Sequence, residues 1–232
     1  MVLGRAELVD VWEDGQELSS LERSMLAVLT WDTVDDVTEV TIDELNGRVL
    51  RLRSRLFGKD VEFYAQCEKC GEEVEFTVDT SQLEASQGSG PGNPLLIDGH
   101  EMVCRPPAAA EVIAAVRAPD PRRWLAECCL QPMDDRSDKV PKLSDADVDG
   151  IEDRLRAGYP LLEVILEIRC PTCEHKWDQL LDIDSLLWRD IDREARQLLD
   201  DVDRLARSYG WSEADILAMR PQRRARYLEL SD

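Results

Sequence analysis

Two short cysteine motifs hold the strongest chemical signal in this chain: Cys67 and Cys70 in "CEKCG", and Cys170 and Cys173 in "CPTCEHKW" about a hundred residues later. A Cys-x-x-Cys turn presents two thiolates to one side of a metal at about 2.3 Å each and leaves half a tetrahedron empty. A second turn of the same kind fills it. The residues therefore read as one Zn²⁺ site with Cys67, Cys70, Cys170 and Cys173 as ligands, ribbon-like, closed, and structural rather than catalytic. Two other readings use the same residues. Four small core thiols are one; a redox pair is the other, although that chemistry wants a motif opening a helix and both of these sit at strand turns.

The remaining candidates are weaker. His175 lies two residues past Cys173 and could replace a cysteine, yet four thiolates already complete a set, so it reads as an exposed turn residue. His100 follows the Asp98-Gly99 turn and reads as solvated, and Cys104, Cys128 and Cys129 lack ligand spacing and read as core. The acidic groups Glu72, Glu73, Glu75 and Asp182, Asp184, Asp190 have no nucleophile or phosphate-cradling glycine loop beside them. They read as a solvated face rather than as general acids or bases. Trp177, Trp188 and Trp211 read as core or interface anchors.

The elements that would position the cysteines follow from periodicity. Leu21, Met25, Val28, Leu29 and then Leu45, Val49, Leu52, Leu56 recur at helical spacing, with Arg48, Arg51, Arg53 and Arg55 largely on the wetter side. Thr41 with Glu44 reads as a capping box, and Gly58 as a helix stop. Val61, Phe63 and Val74, Phe76, Val78 alternate as half-buried strands around the first cysteine pair. "SQLEASQGSGPGNP" over 81–94 reads as a loop, 95–104 as a hairpin turning at Asp98-Gly99, and 108–116 and 122–130 as helices. Residues 131–149 read as an acidic loop leading to a helix over 151–157, and 161–168 as a strand entering the second cysteine pair. A long helix capped at Asp184 or Ser185 then carries Leu187, Ile191, Ala195, Leu198 and Leu205 on one stripe as far as Gly210. Short helices over 212–219 and 221–230 end the chain, the last with Arg220, Arg223, Arg224 and Arg226 beside apolar anchors. That tail is either an ordinary helical hairpin or a docking element for a partner subunit.

Set together, the two cysteine regions share one plan: apolar segment, Cys-x-x-Cys turn, alternating strand, then Asp and a new element. The fold class is α+β: a small mixed β region with a ribbon-like Cys₄ zinc site, flanked by N-terminal helices and a long C-terminal helical arm. The division expected is 1–58 as an N-terminal helical segment, 59–183 as a zinc-stapled core with loops at 81–94 and 131–149, and 184–232 as the arm.

Bulk composition narrows function. With 28 Lys+Arg against 49 Asp+Glu and a formal net charge of −21, the chain is a poor partner for nucleic acid or anionic membrane. No apolar run approaches the roughly 18 residues of a membrane span. Seven cysteines without a recognisable signal peptide suit a reducing, cytoplasmic setting.

The order of these motifs, "CEKCG", the hairpin ending in "CRPPAAAEV", "CPTCEHKW", and "LLDDVDRLARSYGWSEADILAMRPQRRARYLEL", resembles small zinc-knuckle proteins of contractile phage tails and phage-tail-like injection systems, baseplate proteins of the T4 type. The resemblance implies a non-enzymatic structural subunit, assembled into a particle with baseplate, tube or sheath proteins, its 184–232 arm as a contact. The same resemblance also fits an assembly factor absent from the finished object; a zinc-ribbon regulator binding nucleic acid has the wrong charge. One departure stands out. Such knuckles usually carry Gly after the second Cys, as Gly71 does, and Glu174 takes that place in the second.

Overall fold

The structure is a computed structural model that describes residues 4–84, 90–133 and 142–231. The parts of the two expected loops at 85–89 and 134–141 lie outside the described residues. The α+β class holds: the described residues form helices and three small antiparallel sheets, and the chain divides into two compact units, 32–183 and the combination of 1–31 with 184–232.

In the unit built from the two chain ends, α1 (Arg5–Asp14) and α2 (Ser20–Trp31) accompany α8 (Ile183–Tyr209), α9 (Glu213–Leu217) and α10 (Pro221–Ser231). The stripe Leu187, Ile191, Ala195, Leu198 and Leu205 is almost wholly buried, which is what an amphipathic helix of 27 residues needs in water. Trp12 donates to Asp192 at 2.8 Å and Ser24 to Asp184 at 2.6 Å, fixing α1 and α2 to α8. Gly15 is favoured at its position, since a Cβ there would run into the Trp188 ring. The Arg23 guanidinium sits 4.5 Å over the same ring. Leu29, expected on the buried stripe of α2, is exposed instead, and Trp31 takes the interior position. The α8 helix starts at Ile183, so Asp184 and Ser185, expected as its cap, lie within its first turn.

In the unit spanning 32–183, α3 (Ile42–Phe57) starts at Thr41, whose hydroxyl accepts from the Glu44 amide, and stops at Gly58 with φ +92°. Asn46 donates to the Leu161 carbonyl at 2.8 Å and Asp43 accepts from the Leu161 amide at 3.0 Å. These bonds tie α3 to the segment entering the second cysteine motif. Arg53 departs from the solvent-facing expectation: it is buried, and its guanidinium donates to the carbonyls of Gly58 and Asp60. Those carbonyls lie where the helix gives way to a strand, and the guanidinium satisfies them there.

The strands β1 (Asp60–Gln66) and β2 (Glu73–Asp79) form one hairpin, followed by α4 (Thr80–Glu84), so that 81–84 finish a helical turn rather than begin a loop. The strands β3 (Leu95–Ile97), β4 (His100–Cys104) and β5 (Leu130–Pro132) form a meander in that order, crossed in sequence by α5 (Ala109–Ala115) and α6 (Pro121–Cys128). Asp98 and Gly99, both at positive φ, make its two-residue turn. The helix α7 (Asp145–Gly158) begins six residues before the 151 start expected, because Ser144 and Asp147 form a reciprocal capping box. Ile97, Met102, Cys104, Ala126, Cys129, Leu130, Leu143, Val148 and Ile151 close the core between this sheet and α6 and α7. Finally β6 (Val164–Arg169) and β7 (Lys176–Leu181) form the second cysteine-bearing hairpin.

Candidate metal centre

The two cysteine hairpins are copies of one another at a constant offset. Cys67 and Cys70 recur as Cys170 and Cys173, each 103 positions on. The pairing of β1 with β2 runs from Asp60↔Asp79 to Gln66↔Glu73, and that of β6 with β7 from Val164↔Leu181 to Arg169↔Lys176. Val61↔Val78 thus becomes Val164↔Leu181 at the same spacing. The following helices obey the offset too: Thr80 opens α4 and Ile183 opens α8.

Within each knuckle the backbone repeats the same bonds. The Cys67 amide donates to the Glu72 carbonyl and the Gly71 amide to the Cys67 carbonyl, both at 2.8 Å. In the second knuckle the Cys170 amide donates to the His175 carbonyl at 2.8 Å and the Glu174 amide to the Cys170 carbonyl at 3.0 Å. Closing this turn demands a left-handed residue after the second cysteine. Gly71 adopts φ +76° without penalty, and Glu174 is forced to φ +60°, held on its side-chain end by Arg169 at 2.7 Å.

Folding brings the four predicted cysteines together: their Sγ atoms all lie within 4.8 Å of one another. The cross-knuckle pairs Cys67–Cys173 and Cys70–Cys170 are each 3.6 Å apart, and each pair maps onto the other under the offset. Four ligands at about 2.3 Å around a tetrahedral ion have S–S edges of about 3.8 Å, so the spacing suits a metal. It is far from a disulfide, and all four are free thiols. Val74, Ile168, Cys67 and Cys170 form a buried cluster with Ala65, Phe76, Cys173 and Trp177 packed on it.

Electrostatics give the same answer. Burial works against ionisation of Cys67, but the N–H groups of Cys70 and Lys69 and the thiols of Cys173 and Cys70 outweigh it and bring it down to about 7. Cys70 receives the Glu72 N–H, which favours its thiolate, yet the thiols of Cys173, Cys170 and Cys67, together with burial, push it up to about 12. One thiolate forms readily and its neighbour is then suppressed. A divalent cation removes that conflict by satisfying all four at once.

The other singled-out residues lie elsewhere. His175 belongs to the turn through its carbonyl, its ring stacked on Trp177 with centroids 6.0 Å apart, and it is outside the group of clustered ligand atoms. His100 is exposed, Nδ1 beside the Asp98 carbonyl. Cys104 and Cys129 are buried in the meander core, where burial pushes the Cys129 thiol up to about 12; Cys128 is half-buried. Of the tail arginines, Arg224 is not a surface group at all: it is buried against Asp201 at 2.8 Å. The equal register of the two hairpins escaped the sequence reading, although the shared 103-residue spacing of both cysteines and of the Asp79 and Asp182 cap positions was there to find it.

Among the described residues no helix is long and apolar enough to cross a membrane. A family model described as "T4 bacteriophage base plate protein" matches residues 12–188, a span that includes both knuckles and more than half of the chain. No curated protein and no solved structure gave a significant match.

Proposed function

The chain belongs to the T4 bacteriophage base plate protein family, and from that premise we propose that it is a non-enzymatic structural subunit of a contractile phage tail or phage-tail-like injection particle, associated with the baseplate and folded around one structural zinc ion. The family match across residues 12–188 carries the role. The thiol geometry supports the ion.

Cys67, Cys70, Cys170 and Cys173 would hold the metal, and zinc is the ion that four thiolates in tetrahedral array suit best. Bound there, it supplies a cross-link and no open position for a substrate. The chain's own residues do the rest. The knuckle amides stabilise thiolates, the apolar shell of Val74, Phe76, Ile168 and Trp177 packs against the cluster, and the turn bonds hold each sulfur toward the ion once it is bound. A cross-link closing a loop of about 100 residues restricts the unfolded chain by the equivalent of about 4.7 kcal/mol in the entropy model. The protein is made in the cytoplasm and ends in an assembled particle, where it contacts neighbouring tail or baseplate subunits.

Mass spectrometry of purified particles tests the role, with stoichiometric presence beside other baseplate proteins expected. Absence from particles that nevertheless fail to assemble without the gene product would move the assignment to an assembly factor. Complete, functional particles formed without it would overturn both. Elemental analysis tests the ion: one zinc per chain in the wild type and none in Cys170→Ser.

A further inference from the structure

We propose that copies of this chain bind one another head to tail, the basic face of α10 in one copy against the acidic outer face of the β1–β2 hairpin in the next. This deepens the baseplate reading and rests on it for the setting in which the contact is used.

The two hairpins supply an internal comparison. On the outer face of β6–β7, Lys176 pairs with Glu167 and Arg169 with Glu174, each at 2.7 Å, which leaves Asp178, the equivalent of Glu75, as the strand carboxylate there without an ion pair among the described residues. The equivalent positions 103 residues earlier are Glu73, Tyr64, Gln66 and Gly71. There Glu62, Glu73 and Glu75 are exposed and, among the described residues, form no ion pair. Tyr64, 72% exposed, stands among them and donates to Glu75 across the strands. An acidic sheet face with one large aromatic at its centre, carrying three carboxylates without an ion pair where the second hairpin carries one and two paired cations, is suited to a basic partner surface.

The matching surface lies on the same chain. Arg220 and Arg223 are exposed and, among the described residues, paired with no carboxylate; the Arg223 guanidinium lies 5.7 Å from the Tyr227 ring centroid. Leu230, 59% exposed, follows Arg223 at i+7 and so shares its side of the helix. The adjoining side of α10, one residue round the helix, is tied by buried Arg224 to Asp201. A helix of 11 residues is about 16 Å long, and strands of seven residues are about 24 Å, so one fits along the other. The patch is smaller than the roughly 800 Å² per partner of a stable interface. It is therefore weak between free chains, whose net charge of −21 also holds them apart. Because the two faces differ, the contact is heterologous and closes into a ring or grows, and ring closure strengthens each weak contact.

Sedimentation of the full-length, zinc-loaded chain over rising concentration at physiological ionic strength tests this. Mass is expected to rise above that of the monomer with concentration. Arg220→Glu/Arg223→Glu and, separately, Glu62→Arg/Glu75→Arg should each weaken association at least tenfold, and the four changes combined should restore it. The Glu→Arg pair is decisive, because it lowers the net negative charge by four and would strengthen any association limited by general repulsion. Strengthened association in that variant, a monomer at every concentration, or no rescue by the combined variant would overturn the proposal. Unchanged zinc content in each variant controls for folding. If the chain is found in particles and all variants are incorporated normally, this contact is refuted and the baseplate assignment stands.

Discussion

The turn after each second cysteine allows the two knuckles to be weighed against one another. At Gly71 φ is +76°, and a Cβ built there meets nothing within 4 Å. Any cost of Gly71→Ala is therefore conformational rather than steric against neighbours, about 1–2 kcal/mol for an L-residue held in the left-handed region. With the proposed zinc coupling binding to folding of the knuckle, that strain is paid when metal binds. At 1.4 kcal/mol per tenfold, zinc affinity in Gly71→Ala should fall by about 5- to 30-fold. Gly71→Asn, whose side chain tolerates the same conformation, should fall distinctly less. At Glu174 the sign reverses. Glu174→Gly relieves similar strain, loses an exposed Arg169 pair worth under about 1 kcal/mol, and gains unfolded-state freedom of about 0.5–1 kcal/mol. The net change should be small, within about threefold, and toward tighter binding. The assay is competition with a chromophoric chelator under reducing conditions, with thermal unfolding in parallel. If Gly71→Ala binds zinc as the wild type does while Gly71→Asn is weakened, the left-handed turn is not what sets the affinity.

Other outcomes follow from separate parts of the molecule. In the metal-free, reduced protein, the depressed Cys67 thiol contributes stability that is present above the ordinary thiol range and is lost as pH falls through about 7. Site-resolved alkylation should accordingly show Cys67 reacting with a midpoint near 7 and Cys70 protected well above it. Arg224→Ala strands the buried Asp201 carboxylate and should cost about 3–5 kcal/mol in denaturant unfolding, whereas Arg224→Met with Asp201→Leu should recover most of it. Gly15→Ala drives a methyl into the Trp188 ring; about 1–3 kcal/mol of lost stability is expected, with a shifted tryptophan emission.

Much of this was legible because local chemistry decided it. Thr41 with Glu44, Ser212 before α9 and Asp98-Gly99 announce themselves through capping and turn preferences that no distant residue overrides. The four-cysteine cluster was legible from spacing alone, since two half-sites require one another. Long-range partners were not. Arg53 and Arg224 carry the same charge as their exposed neighbours, and only the carbonyls of Gly58 and Asp60 and the carboxylate of Asp201 explain their burial. The early start of α7 lay in Ser144 and Asp147, hidden inside a run of acidic residues that composition marks as loop. Leu29 and Trp31 show the limit of periodicity: both fit a helical stripe, and packing alone chose between them.

The placement of the cysteine hairpins has a mechanical consequence. The chain enters the first at Asp60 and leaves the second at Leu181, with the meander and α5 to α7 strung between them as an insertion. With the four sulfurs joined to one ion, tension pulled through the backbone passes from strand to metal to strand. The inserted residues are left slack, outside the line of force. The inserted body could then vary in length without altering the load carried past it.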